Sequence, residues 1–125
     1  MKIQDDVEDF MMAADQMVDN VLPAYGVAPA QEDLYMDLVT EEYEELVEAF
    51  QNKDVVETAD AICDIMWVLN GLASTLGIPV EACWNEVRDS NRSKVVEGRL
   101  IKSPTGKVMK PEGYFKPDLH KVLFT

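Results

Sequence analysis

Apolar residues recur at helical spacing in four stretches of the chain, and short breaks rich in proline, glycine or polar residues separate them. The stretches cover residues 5–22, 30–51, 55–76 and 79 to about 95. Gly77 follows the third stretch as a plausible left-handed cap, and Pro79 opens the fourth at its first turn. The pattern predicts an all-α fold of the four-helix-bundle type with an irregular C-terminal tail.

Two breaks in this pattern bear on topology. Asn52, Lys53 and Asp54 form a link too short for anything but an antiparallel turn, so the second and third helices are expected to pack side by side. Repeated glycine and proline after residue 96 exclude a long helix there. Residues 99–102 and 107–110 could pair as a small hairpin.

Carboxylates interrupt the apolar faces of the second and third helices. Glu42 falls inside the apolar arc of the second helix, and Glu45 lies at its edge. Asp60 and Asp64 are the only charges between residues 58 and 76, so the third helix is expected to be buried nearly all round. Antiparallel packing would let Glu42 and Glu45, three residues apart, face a second pair with the same spacing, Glu57 and Asp60.

Several buried carboxylates in one place need a counter-charge, because each loses several kcal/mol of hydration. Lys53 in the turn is the only basic residue near them. An all-oxygen ligand set suits Mg²⁺, with Mn²⁺ as an alternative. The sequence therefore predicts a divalent-metal site built by Glu42, Glu45, Glu57 and Asp60. The competing interpretations are a solvated charge run and, for Glu57, a capping box with Asp54.

Further candidates lie next to this predicted site. Asp64 is one turn beyond Asp60 and could bind the metal directly, or support it by holding a metal-bound water or an Asn or Lys of the fourth helix. It is also a candidate for substrate binding. Trp67 borders the acidic face and could stack on a nucleobase, although a core or interface position is the commoner role. Asn91 lies within the apolar stripe of the fourth helix, and Lys94 follows one turn later, placed to meet a phosphate. A buried structural amide and an ordinary surface lysine are the alternatives for these two.

The motifs resemble those of a known family. Glu41-Glu42-x-x-Glu45 followed by Glu57-x-x-Asp60 is similar to the signature of the MazG-like, all-α nucleoside triphosphate pyrophosphohydrolases. Residues 86–94 and 106–118 are similar to the variant related to phosphoribosyl-ATP pyrophosphohydrolase. The resemblance implies hydrolysis between the α- and β-phosphates, giving a nucleoside monophosphate and pyrophosphate. It also implies substrate contacts at Asn91 and Lys94. Glu41 or Glu45 would then orient or deprotonate the attacking water.

The charge distribution narrows the choice of partners. The net charge is -13, yet it divides into -18 for residues 1–87 and +5 for residues 88–125. An acidic body argues against nucleic-acid binding, and a basic tail beside an acidic metal site fits a polyphosphate with its cations. The tail could equally serve only to neutralise the body. No apolar run approaches the roughly 20 residues that a membrane span needs.

The remaining expectations concern assembly and setting. The length predicts one domain over residues 1–125, and two cysteines without metal or redox spacing suggest a cytoplasmic protein with reduced thiols. Apolar surface on more than one side of the two long helices predicts a homodimer or homotetramer. The rival function is a non-catalytic acidic helical module that binds a basic partner. Exposure of Glu42 and Asp60 would favour that rival, and burial would favour the enzyme.

Overall fold

The computed structural model describes residues 3–18 and 25–124, and the described chain is mostly helical, which confirms the predicted all-α class. It divides into two compact units, Met1–Val80 and Glu81–Thr125. The expectation of one domain stays a prediction. The elements are α1 (Ile3–Ala13), α2 (Pro29–Gln51), α3 (Val55–Leu76), α4 (Val80–Arg92), β1 (Val95–Val96), β2 (Arg99–Leu100) and α5 (Leu119–Phe124).

Local signals set the bounds of α2 and α3, which agree with the sequence prediction to within a residue. Pro29 stands in the first turn of α2, where its missing N–H costs nothing, and Glu32 reaches back to accept from the Ala28 N–H at 3.3 Å. Asp54 caps α3 by accepting from the Glu57 N–H at 3.1 Å, and Gly77 ends α3 in the left-handed conformation with φ 75°. The two helices pack against each other as the short turn requires.

The first helix is shorter than predicted. It was expected to run to Leu22, but α1 ends at Ala13 because Asp15 takes a left-handed φ of 57°. The Gln16 N–H then donates to the Met11 carbonyl at 2.9 Å, and the Asp15 N–H donates to Met12 at 3.1 Å. This bonding closes the helix as a Schellman motif does. Residues 19–22 of the predicted helix lie outside the described part of the chain.

Val7 and Met11 of α1, Tyr35 of α2 and Val68 of α3 form the buried core of the first unit. Gly71 lets α2 approach α3 closely, because a Cβ at this position would overlap the ring of Tyr35. The Tyr35 hydroxyl donates to the Gln16 side chain at 2.6 Å, which satisfies its polar end. Gly71 therefore sets how closely α2 and α3 pack.

Amide side chains tie the end of α3 to its neighbours. Gln4 of α1 donates to the Ser74 hydroxyl at 3.0 Å and accepts from the Val80 N–H at 2.9 Å. Gln31 of α2 donates to the Thr75 hydroxyl at 2.9 Å. Ser74 and Thr75 are buried, so these bonds spare the end of α3 an unpaired polar group.

The expectation that α3 is buried nearly all round is wrong for the single chain. Its last turns, from Asn70 to Leu76, are buried or half-buried, but several apolar side chains before them remain exposed, because α1 and α2 cover only part of the helix. The exposed fraction is 79% for Val55, 47% for Ile62 and 46% for Leu69. On α2, Phe50 is 73% exposed. This surface bears on assembly.

In the second unit, α4 ends at Arg92 rather than near Lys94, and the tail holds more structure than the sequence predicted. β1 and β2 form an antiparallel hairpin across Glu97 and Gly98, which both have positive φ. The predicted pairing of residues 99–102 with 107–110 is reduced to one bridge, Lys102 with Val108. The Asp118 side chain caps α5 by accepting from the Lys121 N–H at 3.1 Å.

Over residues 3–18 and 25–124, none of the helices is by itself long and apolar enough to cross a membrane. By length and composition, α3 and α4 meet that test only when they are counted together as a broken span.

We expect Gly71→Ala to destabilise the protein by about 1–3 kcal/mol, because the added methyl group forces the Tyr35 ring out of its place. Gly113→Ala is the matched control, since a Cβ there meets no atom within 4 Å. Urea unfolding followed by circular dichroism measures both. Equal midpoints for the two variants would show that the close approach of Tyr35 to Gly71 is not needed.

Candidate metal centre

Three carboxylates from α2 and α3 converge in the first unit. Glu42, Glu45 and Asp64 each offer one oxygen, and these oxygens lie within 4.8 Å of one another. We call these three residues the acidic cluster. Glu42 and Glu45 share a face of α2 because they are three residues apart, and the antiparallel turn places Asp64 opposite them.

The sequence also indicates that Asp64 lies opposite Glu42, through the distance of each residue from the turn. Glu42 lies 11 residues before Lys53, at the centre of the turn, and Asp64 lies 11 residues after it. In an antiparallel helix pair, residues at equal distances from the turn stand at the same height. Distance from the turn thus identifies Asp64, rather than Glu57, as the residue opposite Glu42.

The carboxyl group of Glu42 is partly removed from solvent. The side chain is half-buried, and its Oε2 atom is buried with no hydrogen-bond partner. Loss of hydration, followed by the neighbouring Glu45, raises the pKa of Glu42 to about 7, and Asp64 and Glu41 add smaller repulsions. An ionised carboxylate in this setting would be stabilised by a positive charge nearby.

The pKa of Asp64 is also raised. Burial is the main cause that raises the pKa of Asp64, followed by the charges of Asp60 and Glu45. Asp60 therefore stands beside the cluster, one turn before Asp64 on α3. Asp60 itself is exposed, unlike the half-buried Asp64.

The other predicted ligands line an open groove next to the cluster. This acidic groove has a volume of about 340 Å³, and its acidic lining residues are Glu45, Glu48, Asp54, Glu57 and Asp60. Glu57 is exposed, and its backbone N–H takes part in the cap made by Asp54. Glu45 belongs to both the groove and the cluster. The ligand roles of Glu57 and Asp60 stay predictions.

The acidic cluster fits a hard divalent cation. Its ligand atoms are all carboxylate oxygens, the type that Mg²⁺ and Mn²⁺ prefer. Within the described residues, no basic side chain forms an ion pair with Glu42, Glu45 or Asp64. The unpartnered Oε2 of Glu42 is an acceptor that a cation would satisfy.

Two further candidates lie in the first unit. Glu41 is exposed next to Glu42, free to face solvent. Trp67 packs edge-on against Phe10 of α1, with ring centres 5.6 Å apart, and it keeps 37% exposure. The tryptophan therefore helps to hold α1 on α3, and its proposed contact with a base stays a prediction.

The two candidates from the basic half lie in the second unit and contact each other. The Lys94 ammonium donates to the Asn91 side-chain oxygen at 3.2 Å. Asn91 is exposed, so its interpretation as a buried structural amide is wrong. Asn91 also borders an apolar pocket of about 440 Å³ with Trp84, Val87 and Leu100 among its lining residues.

We expect the metal-free protein to lose stability as the pH rises from about 4.5 to about 7, because the raised pKa of Glu42 means that folding favours its protonated form. Glu42→Gln should remove the part of this loss that Glu42 causes. That part is on the order of 1 kcal/mol in the free energy of unfolding, because solvent screens the charge. Thermal unfolding in EDTA at pH 5 and pH 8 measures it. Glu44→Gln removes the same charge from an exposed site and serves as control. Equal pH dependence in both variants would contradict the assignment.

Comparison with known proteins places the chain in a family. The family model for phosphoribosyl-ATP pyrophosphohydrolase matches residues 7–91, a range that includes the whole of the acidic cluster and Asn91. None of the curated proteins compared with the chain matches it. Because the matched range covers more than half of the chain, the protein belongs to the phosphoribosyl-ATP pyrophosphohydrolase family, within the MazG-like all-α nucleoside triphosphate pyrophosphohydrolases.

Proposed function

We propose that the protein is a divalent-metal-dependent pyrophosphohydrolase that cleaves a nucleoside triphosphate between its α- and β-phosphates. The products are the nucleoside monophosphate and pyrophosphate. The observation that carries the proposal is the acidic cluster, which includes a buried oxygen without a hydrogen-bond partner, Oε2 of Glu42. Membership in a pyrophosphohydrolase family supports the reaction class.

The chain supplies distinct groups for this reaction. Glu42, Glu45 and Asp64 would hold Mg²⁺ or Mn²⁺, and Asp60 and Glu57 would add ligands from the acidic groove. When bound, the cation supplies neutralisation of phosphate charge and activation of water. Glu41 is the exposed carboxylate beside the cluster, and we assign it the task of orienting or deprotonating the attacking water, with Glu45 as the alternative.

The substrate class is a nucleotide that carries a phosphate chain. We assign substrate contacts to Asn91, Lys94 and Trp67, because an amide, an ammonium and an aromatic ring suit sugar, phosphate and base respectively. The family name points to a substrate like phosphoribosyl-ATP. Canonical or damaged NTPs and dNTPs need the same metal chemistry, so removal of unwanted nucleotides in the cytoplasm is an equally suitable role.

One observation favours a second candidate function. Asp60 and Glu57 are exposed, and exposure is expected of an acidic surface that binds a basic protein partner. Such a surface does not need an unpartnered carboxylate oxygen turned away from solvent. The environment of Glu42 therefore favours the enzyme over the interaction module.

We also propose that the protein works as a homodimer or homotetramer. Leu46, Val47, Phe50 and Ile62 line an apolar groove between α2 and α3. Phe50 is 73% exposed, and exposure of a large apolar side chain to water is unfavourable. A second copy that covers the groove would bury this side chain. The proposed interface lies on the same two helices as the acidic cluster.

Wild-type protein should release pyrophosphate from a nucleoside triphosphate only when Mg²⁺ or Mn²⁺ is present. Glu42→Gln and Asp64→Asn should each lower kcat by on the order of 100-fold, because each removes a charged ligand from the cluster. A panel of NTPs, dNTPs and phosphoribosyl-ATP, with pyrophosphate detected enzymatically, measures the rates and identifies the substrate.

Asp33→Asn is the matched control, since Asp33 is an exposed carboxylate of α2 outside both the cluster and the groove. Asp60→Asn and Glu57→Gln test the groove ligands separately. No release from any triphosphate by folded wild-type protein with either metal would refute the hydrolase proposal. Loss of activity in Glu57→Gln but not in Asp64→Asn would move the metal site toward the turn.

Phe50→Asp should convert the assembly to monomer, because it places a charge in the centre of the apolar groove. Light scattering coupled to size-exclusion chromatography gives the mass. Tyr43→Asp, at another exposed aromatic residue of α2 that does not line the groove, should leave the mass unchanged. A monomeric wild type, or a Phe50→Asp variant with the wild-type mass, would contradict the proposed interface.

A further inference from the structure

Two lysines approach one tyrosine ring in the second unit. The ammonium of Lys94, just after α4, lies 5.7 Å from the ring centre of Tyr114, and that of Lys110 lies 5.2 Å from it. Each distance allows a cation–π attraction between the ammonium and the ring. The ring thus gathers two positive charges from segments 16 residues apart in sequence.

Polar contacts fix the segment that carries this ring against α4. The buried Ser90 hydroxyl donates to the Phe115 carbonyl at 2.8 Å, and the Phe115 N–H donates to the Ser93 hydroxyl at 3.1 Å. Further along, the Asp118 N–H donates to the Glu86 carboxylate at 2.8 Å. Both polar backbone groups of Phe115 are therefore held, so the position of Tyr114 next to Lys94 is set by the fold.

The two ammonium groups lack a negative partner. Within the described residues, neither Lys94 nor Lys110 forms an ion pair, although the tail contains acidic residues that could have supplied one. Lys94 uses one of its three donors on the Asn91 oxygen, and this bond orients the group without neutralising it. Both ammonium groups therefore keep a positive charge and hydrogen-bond donors that an anion could meet.

We propose that Lys94, Lys110 and Tyr114 form a binding site for the phosphate chain of the nucleotide substrate. The identity of the ligand rests on the proposed function, whereas anion binding can be measured without catalysis. The two ammonium groups would meet phosphate oxygens, and the Tyr114 hydroxyl would supply a neutral donor. Lys110 and Tyr114 are new to the site, and Ser90 and Ser93 act as positioning residues for the segment.

Titration of metal-free protein in EDTA with pyrophosphate, followed by calorimetry, tests the site, since the unneutralised acidic cluster repels anions under these conditions. Lys94→Gln and Lys110→Gln should each weaken binding by roughly fivefold or more, about 1 kcal/mol. Lys107→Gln is the matched control, because it removes the same charge from an exposed tail lysine that does not contact the ring. Its affinity should stay within about twofold of wild type.

Absence of pyrophosphate binding by wild type, or equal losses in Lys107→Gln and Lys110→Gln, would overturn the site in favour of diffuse attraction to a basic tail. In turnover with Mg²⁺, Lys110→Gln should raise KM about fivefold with little change in kcat. An unchanged KM would overturn the assignment to substrate. If wild type hydrolyses no nucleotide yet binds pyrophosphate through Lys110, the proposed function fails and the anion site stands.

Discussion

Repulsion between like charges on α2 and α3 is the constraint around which the first unit is built. Glu42, Glu45 and Asp64 would separate if the helices were free to slide or rotate, but the packing fixes them. The contact of Gly71 with the Tyr35 ring sets the helix separation, and the short turn sets the register. Core packing therefore holds a charge arrangement that is unfavourable without a cation, as expected of a preformed metal site.

The fold was largely predictable wherever local signals decide it. Pro29, Asp54 and Gly77 mark helix ends through backbone chemistry that a sequence displays directly, and the bounds of α2 and α3 followed from them. The early end of α1 depends on Asp15 in the left-handed conformation, which most residues avoid and no neighbouring residue announces. Prediction failed there because the apolar spacing continues past Ala13, whereas the backbone leaves the helical conformation at Asp15.

The same distinction applies to the candidate site. The acidic residues were identified from the conflict between their charge and the apolar pattern around them, and Glu42 was the clearest case. Their pairing across helices was harder, because helical periodicity gives the direction of a side chain but not its height along a neighbouring helix. Motif spacing favoured Glu57 and Asp60 as the pair that faces Glu42 and Glu45, whereas the structure brings Asp64 to them. In the tail, the hairpin at Glu97 and Gly98 was missed because glutamate seldom takes a positive φ, as Glu97 does here.

The proposed assembly and the proposed chemistry use the same two helices through different side chains. Leu46 of the apolar groove follows Glu45 of the acidic cluster, and Ile62 lies two residues before Asp64. Residues one or two apart on a helix do not face each other, so the groove and the cluster use different faces of α2 and α3. A second copy that covers Leu46 and Ile62 would restrain both helices, which would then be less free to separate under the repulsion between the carboxylates. A cation bound by the cluster would act on the same pair of helices. In this arrangement assembly would favour metal binding, and metal binding would in turn favour assembly, since linkage between the two is reciprocal.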